Sequence, residues 1–138
     1  MTAFQSLQPI EDRLIRHFFN ESNGCNETVW TPVVDVYESP DAYRIEVELP
    51  GINKADIEVH YEDDILSVKA KRNQSELSEG VKEWKRERKT GTFYRSFRLV
   101  KDIKPDTITA QFADGVLTLS LAKVEKIQGK RIEIQIPA

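Results

Sequence analysis

The sequence predicts an all-β protein, an antiparallel β-sandwich with a short N-terminal helical arm and an extended C-terminal tail. Two observations carry the sandwich. In the stretch 108–121, Ile108, Ala110 and Phe112 recur with period two before an Asp114-Gly115 turn, and Leu117, Leu119 and Leu121 recur with period two after it. A hairpin with one apolar face needs a second layer to cover that face. The same alternation repeats upstream in short runs separated by turn residues, with no strong helical period between them, and that repetition supplies the second layer.

At 138 residues the chain suits about one domain, and a fold of this size buries roughly two thirds of the surface its unfolded chain exposes. The apolar fraction is 39% and the charged fraction 31%, so part of the length is expected outside the core. A net charge of -3 argues against non-specific attraction to nucleic acid or to an anionic membrane. Cys25 is the sole cysteine, which excludes an intrachain disulfide framework and a cysteine metal cage. With no apolar run long enough to span a bilayer and no basic, apolar leader, a cytoplasmic protein is the expectation.

Residues 1–29 differ in character from the rest of the chain. Phe4, Leu7, Ile10, Leu14, Ile15, Phe18 and Phe19 recur largely at spacings of three and four, with Glu11, Asp12, Arg13 and Arg16 between them, which predicts a short amphipathic helix. Pro9 fits its first turn, and the polar run 20–27 reads as a linker. A helix this short is marginal alone, so its apolar face needs a partner: its own domain, another copy of the chain, or a foreign apolar surface.

The sandwich is expected over residues 30–123. Val34-Asp35-Val36-Tyr37-Glu38 leads into a Ser39-Pro40-Asp41 turn signal. Tyr43, Ile45, Val47 and Leu49 then alternate with Arg44, Glu46 and Glu48 until Pro50-Gly51 ends the run. Ile57, Val59 and Tyr61 alternate with charged neighbours up to the Asp63-Asp64 turn, after which Leu66, Val68 and Ala70 alternate with Ser67, Lys69 and Lys71. Between Arg72 and Thr92 the pattern breaks into a polar, turn-rich excursion carrying Trp84 among charges, longer than a hairpin needs. The strand after it places Arg95 on the face of Phe93, Phe97 and Leu99, where an arginine requires a carboxylate or carbonyl partner and marks a packed interface.

Residues 124–138 form a basic connector followed by Ile132, Ile134 and Ile136, which share a side if the segment is extended. Such a strand either closes its own sheet or adds to a groove on another subunit.

Catalytic patterns are missing from the sequence. His17 and His60 have no ligand-like spacing, Cys25 has no nucleophile arrangement, and no GxxxxGK[ST] loop offers a phosphate cradle. Adjacent acids at Glu62-Asp63-Asp64 suit a solvated turn. The run Lys85-Arg86-Glu87-Arg88-Lys89 interleaves acid with base, which suits a solvated edge or a dimer contact better than nucleic acid. The expectation is a protein with no catalytic residues, metal or cofactor.

Several motifs together carry a family resemblance: Val47-Glu48-Leu49-Pro50-Gly51 followed by Ile57-Glu58-Val59; Glu87-Arg88-Lys89-Thr90-Gly91-Thr92-Phe93-Tyr94-Arg95-Ser96-Phe97; Ala110-Gln111-Phe112-Ala113-Asp114-Gly115-Val116-Leu117; and the terminal Ile132-Glu133-Ile134. In this order and spacing the sequence resembles the small heat-shock proteins, the Hsp20 family built on the immunoglobulin-like α-crystallin domain, in their bacterial and plant type. It departs from the family pattern at Val100, where proline is usual, and at Ile136, which leaves open whether Ile132 and Ile134 or Ile134 and Ile136 form the docking pair.

The resemblance implies an ATP-independent holdase that assembles from dimers into larger homo-oligomers. It implies that the excursion bearing Trp84, Arg86 and Arg88 carries a strand exchanged with the partner's first strand, near Val34 and Val36. It implies that the tail isoleucines dock in a neighbour's groove lined by Ile57, Val59, Ile108, Ala110 and Phe112, with the arm serving assembly and client binding. Unfolding clients and ATP-driven refolding chaperones are the implied partners besides self. The rival reading is a monomeric co-chaperone module of the same sandwich class, which would need neither an exchange loop nor an isoleucine tail.

Overall fold

The computed structural model describes residues 28–99, 102–124 and 129–137. The predicted arm helix, with Phe4, Leu7, Ile10, Leu14, Ile15, Phe18 and Phe19, lies outside these residues.

Strands β1 (Val29–Trp30), β2 (Val34–Glu38), β3 (Ala42–Glu48), β4 (Ile57–Glu62), β5 (Ile65–Arg72), β6 (Gly91–Arg98), β7 (Thr109–Ala113) and β8 (Val116–Ala122) build two four-stranded sheets. One has the order β1-β6-β5-β4 and the other β2-β3-β8-β7, all pairs being antiparallel except β1 with β6. Short 3-10 turns, Lys54–Asp56 and Pro105–Thr107, introduce β4 and β7.

Period two decides which side chains meet. Ile45 and Val47 on β3, and Leu49 just beyond it, are fully buried; they join Leu117, Leu119 and Leu121 of the neighbouring β8 and Leu66, Val68 and Ala70 of β5 in the other sheet in one core cluster. Arg44, Glu46 and Glu48 take the outward face of the β3 sheet. Strand β6 departs from the one-wet-face rule: Phe93 and Phe97 enter the core, yet Thr92, Tyr94 and Ser96 on its other face are buried as well. Burial pushes the Tyr94 phenol above its usual range, against the opposite pull of hydrogen bonds with Ser96 and Ser67.

The hairpin turns follow from backbone sign. Asp63 and Asp64 sit at φ 50° and 63°, and Asp114 and Gly115 at 54° and 77°. Both centres of a two-residue turn matched to strand twist need positive φ, which aspartate and glycine tolerate best. Gly115 has a second reason to lack a side chain. A Cβ there would lie 3.1 Å from the Pro50 Cα, while the Leu49 amide donates to the Gly115 carbonyl at 2.8 Å. The β7–β8 tip is thus locked onto the end of β3.

Three details differ from expectation. Strand β1 was not foreseen, because two residues carry no periodicity and their parallel partner lies far along the chain. Strand β7 begins at Thr109, with Ile108 closing the 3-10 turn whose first position holds Pro105. Residues 129–137 form no strand on their own chain.

Candidate functional site

The sheet orders leave β1, β2, β4 and β7 at the edges, each paired on one side only among the described residues. Which edges face each other follows from chain reach. Trp30 and Val34 are separated by three residues, a span of about 14 Å at most when extended, enough to cross between layers about 10 Å apart but too short to reach the far edge. The edges β1 and β2 therefore share one side of the sandwich. Arg95 on β6 agrees, since its Nη1 donates to the Pro32 carbonyl at 3.3 Å. By elimination β4 and β7 share the opposite side.

That opposite side is lined by apolar side chains. Ile57, Val59 and Tyr61 from β4, with Ile108 just before β7 and Phe112 on it, are half-buried and pack on the core. Ala110, between Ile108 and Phe112 and opposite Leu119, is exposed, and its small side chain leaves room along the strand. Both flanking strands present unpaired backbone on this side, the arrangement that accepts an added strand.

Apolar side chains sit in solvent elsewhere. Ile132, Ile134 and Ile136 are 83%, 93% and 92% exposed. In the excursion 73–90, Trp84 is 93% exposed, with Leu77 and Val81 about half exposed. Charges near Trp84 pair locally, Arg86 with Glu83 and Lys85 with Glu87 at 3.2 Å, so they do not tie the tip to the sandwich.

The root of this loop is held. Arg72 donates from Nη1 to the Lys89 carbonyl at 2.8 Å and from Nη2 to the Pro50 carbonyl, and its guanidinium stacks 4.7 Å over the Phe93 ring. Trp30 donates from Nε1 to the Thr90 carbonyl, with Lys89 Nζ 4.6 Å above the indole. Among the described residues, the buried side-chain polar atoms that lack a partner are Arg72 Nε, Arg95 Nε and Asp102 Oδ1. Val34 and Val36 of β2 turn toward the core, so this edge offers its backbone rather than a side-chain patch.

Remaining polar groups are structural. Tyr43 is buried, donates to Asp102 Oδ2 at 3.5 Å and lies under Lys123, which pairs with Glu38 at 2.6 Å. Burial, reinforced by the Asp102 and Glu38 charges, pushes the Tyr43 phenol up to about 12. His60 lies 3.7 Å from Glu58 on the exposed face of β4. Among the described residues no His, Cys, Asp and Glu cluster could hold a metal, and no helix is long and apolar enough to cross a membrane.

Sequence reading named the groove, loop and tail residues but missed the Arg72 and Trp30 anchors. Their partners are backbone carbonyls distant in sequence, and no residue pattern signals such bonds.

Comparison with known proteins agrees with this architecture. Residues 35–137 match the model of the Hsp20/alpha crystallin family. Heat shock protein 16 of Schizosaccharomyces pombe is 34% identical over 137 residues, 95% of either chain, and small heat shock protein C2 of Rickettsia felis is 33% identical over 90% of this chain and 84% of its own. Among solved structures, a small heat-shock protein from Xylella fastidiosa, described as having a distinct high order structure, superposes with a TM-score of 0.67 at 36% identity, covering 78% of this chain and 98% of that one. The two-sheet sandwich with its open edges defines an α-crystallin domain. The chain belongs to the Hsp20/alpha crystallin family of small heat-shock proteins.

Proposed function

We infer that the protein is an ATP-independent holdase chaperone acting in the cytoplasm as dynamic homo-oligomers built from dimers, with no catalytic step and no cofactor. The observation that carries this reading is the coexistence of an apolar tail in solvent and half-buried apolar side chains on two edge strands, which the reading takes as the groove that receives it. Residues 124–138 of one subunit supply the tail, Ile132 with Ile134 or Ile134 with Ile136. Ile57, Val59, Ile108, Ala110 and Phe112 of another receive it. Dimers form where the tip bearing Trp84, Arg86 and Arg88 crosses to the β2 edge, at Val34 and Val36 of the partner subunit. Arg95, half-buried with Nε unpartnered, completes an ion pair at that interface.

Burying two isoleucines gains roughly 3 to 6 kcal/mol gross, less the cost of ordering the tail. Each docking is weak, and many tails per particle hold the whole by effective concentration while single tails release. Warming shifts this balance toward smaller species that expose the groove and the arm within residues 1–29, where Phe4, Leu7, Ile10, Leu14, Ile15, Phe18 and Phe19 cover apolar segments of unfolding clients. Holding an unfolded client does not refold it, so release passes to ATP-driven chaperones.

Size-exclusion chromatography with light scattering, run beside a thermal aggregation assay on a model client without ATP, tests the reading. A large particle that suppresses aggregation is expected. A monomer at micromolar concentration would sink the assembly reading, and unchanged client aggregation the holdase reading.

A further inference from the structure

At the root of the 73–90 loop two arginines meet without a counter-charge. A Cβ built on Gly51 would lie 2.7 Å from Arg88 Nη2 and 3.7 Å from Arg72 Nε, so both guanidinium groups converge on one point above the Pro50-Gly51 turn. Gly51 itself has φ 72°, which fixes its bare Cα beneath them. Two of Arg72's donors are taken by the Pro50 and Lys89 carbonyls, but its Nε is buried and has no acceptor. Burial, and then the Arg88 charge, depress the Arg72 pKa from the usual guanidinium range.

The surroundings do not neutralise this pair. A cavity of about 300 Å³ opens beside it, lined also by Lys85, Arg86, Glu83 and Glu87. Both lining carboxylates are already engaged, Glu87 by Lys85 and Glu83 by Arg86. No carboxylate among the described residues pairs with Arg72 or Arg88. Two guanidinium groups converging over a bare glycine, the Arg88 one exposed, offer the charge-assisted donors that an oxyanion takes.

We propose that Arg72 and Arg88, over Gly51, form a binding site for a small oxyanion, a phosphate or carboxylate group. Lys89 and Thr90 are held at the loop root by Arg72 and Trp30, while Arg88 also belongs to the segment proposed to cross to the partner, so the site shares that residue with the assembly reading and the two are told apart by measuring binding and particle mass side by side. An anion there bridges the two arginines, removes their repulsion and fastens the loop root to the Pro50-Gly51 turn.

Isothermal titration of the full-length protein at low ionic strength, using inorganic phosphate and succinate as separate probes against a chloride control of matched ionic strength, tests it. Saturable binding is expected, weakened about tenfold or more by Arg88→Gln, the factor for losing a charge-assisted hydrogen bond to an anion. Arg88 is exposed, so this variant keeps the fold, and particle mass measured in parallel separates loss of binding from loss of assembly. Arg72→Gln gives the same loss where it folds, and Arg44→Gln, on the far sheet, leaves binding intact. Binding of phosphate alone identifies a phosphate group as the ligand chemistry, and binding of succinate alone a carboxylate. Either supports the site. No saturable binding of either probe, or equal binding in Arg88→Gln, overturns it.

Discussion

The indole Nε1 of Trp30 donates to the backbone carbonyl of Thr90 at 2.8 Å, across 60 positions of chain. One bond thereby ties the strand that leaves the arm to the root of the excursion loop. Both sides of it are half-buried, so losing the donor strands a carbonyl that water reaches poorly.

Trp30→Phe keeps an aromatic ring under Lys89 and removes only the N–H. The expected cost is about 1 kcal/mol, read as a urea midpoint lower by about half a molar. No shift would mean that the indole bond is replaced by water.

Gly115→Ala places a methyl group against the Pro50 backbone at a positive φ. The left-handed penalty alone is about 1–2 kcal/mol, and backbone cannot yield as a side-chain tip can, so the loss should reach at least that in equilibrium unfolding.

Tyr43 gives the chain an alkaline stability limit. Below pH 10 folded and unfolded chains both hold the phenol proton. Between about pH 10 and 12 the unfolded chain releases it while the folded chain retains it, so stability falls as pH rises through that window. Tyr43→Phe should flatten this fall in urea titrations at successive pH values, with little change at pH 7, where the 3.5 Å bond to Asp102 contributes weakly.

Ile132→Ser combined with Ile134→Ser should leave dimers by analytical ultracentrifugation. Unchanged particle mass would assign the tail another role, and dissolution by Ile136→Ser instead would select Ile134 and Ile136 as the docking pair.

Removing residues 1–27 leaves β1 whole. Suppression of client aggregation should weaken, and full retention would move client binding to the groove.

Much of the sandwich was legible because a strand with one wet face writes itself as alternation. Tyr43, Ile45 and Val47 of β3, and Leu117, Leu119 and Leu121 of β8, are the clearest cases. The burial of Thr92, Tyr94 and Ser96 was not legible, since a strand covered on both faces has no polar side to alternate with. The family resemblance named the candidate groove and tail and implied that the strands bearing Ile57 and Phe112 flank one groove, and the short Trp30 to Val34 crossing supplies the physical reason that β4 and β7 share a side. The Arg72 and Arg88 convergence was invisible in the sequence. It depends on a loop returning to Gly51, and charged residues in a run of charges look alike until the backbone places them.

The loop between β5 and β6 is fastened at both ends and bare at its tip. A strand swap confined to the tip requires no rupture of the sandwich. In the proposed assembly, rates of subunit exchange should answer to the residues around Trp84, and thermal tolerance to the core beneath. On that reading each should be tunable without disturbing the other, and a chain hardened in its core should shuffle partners as fast as before.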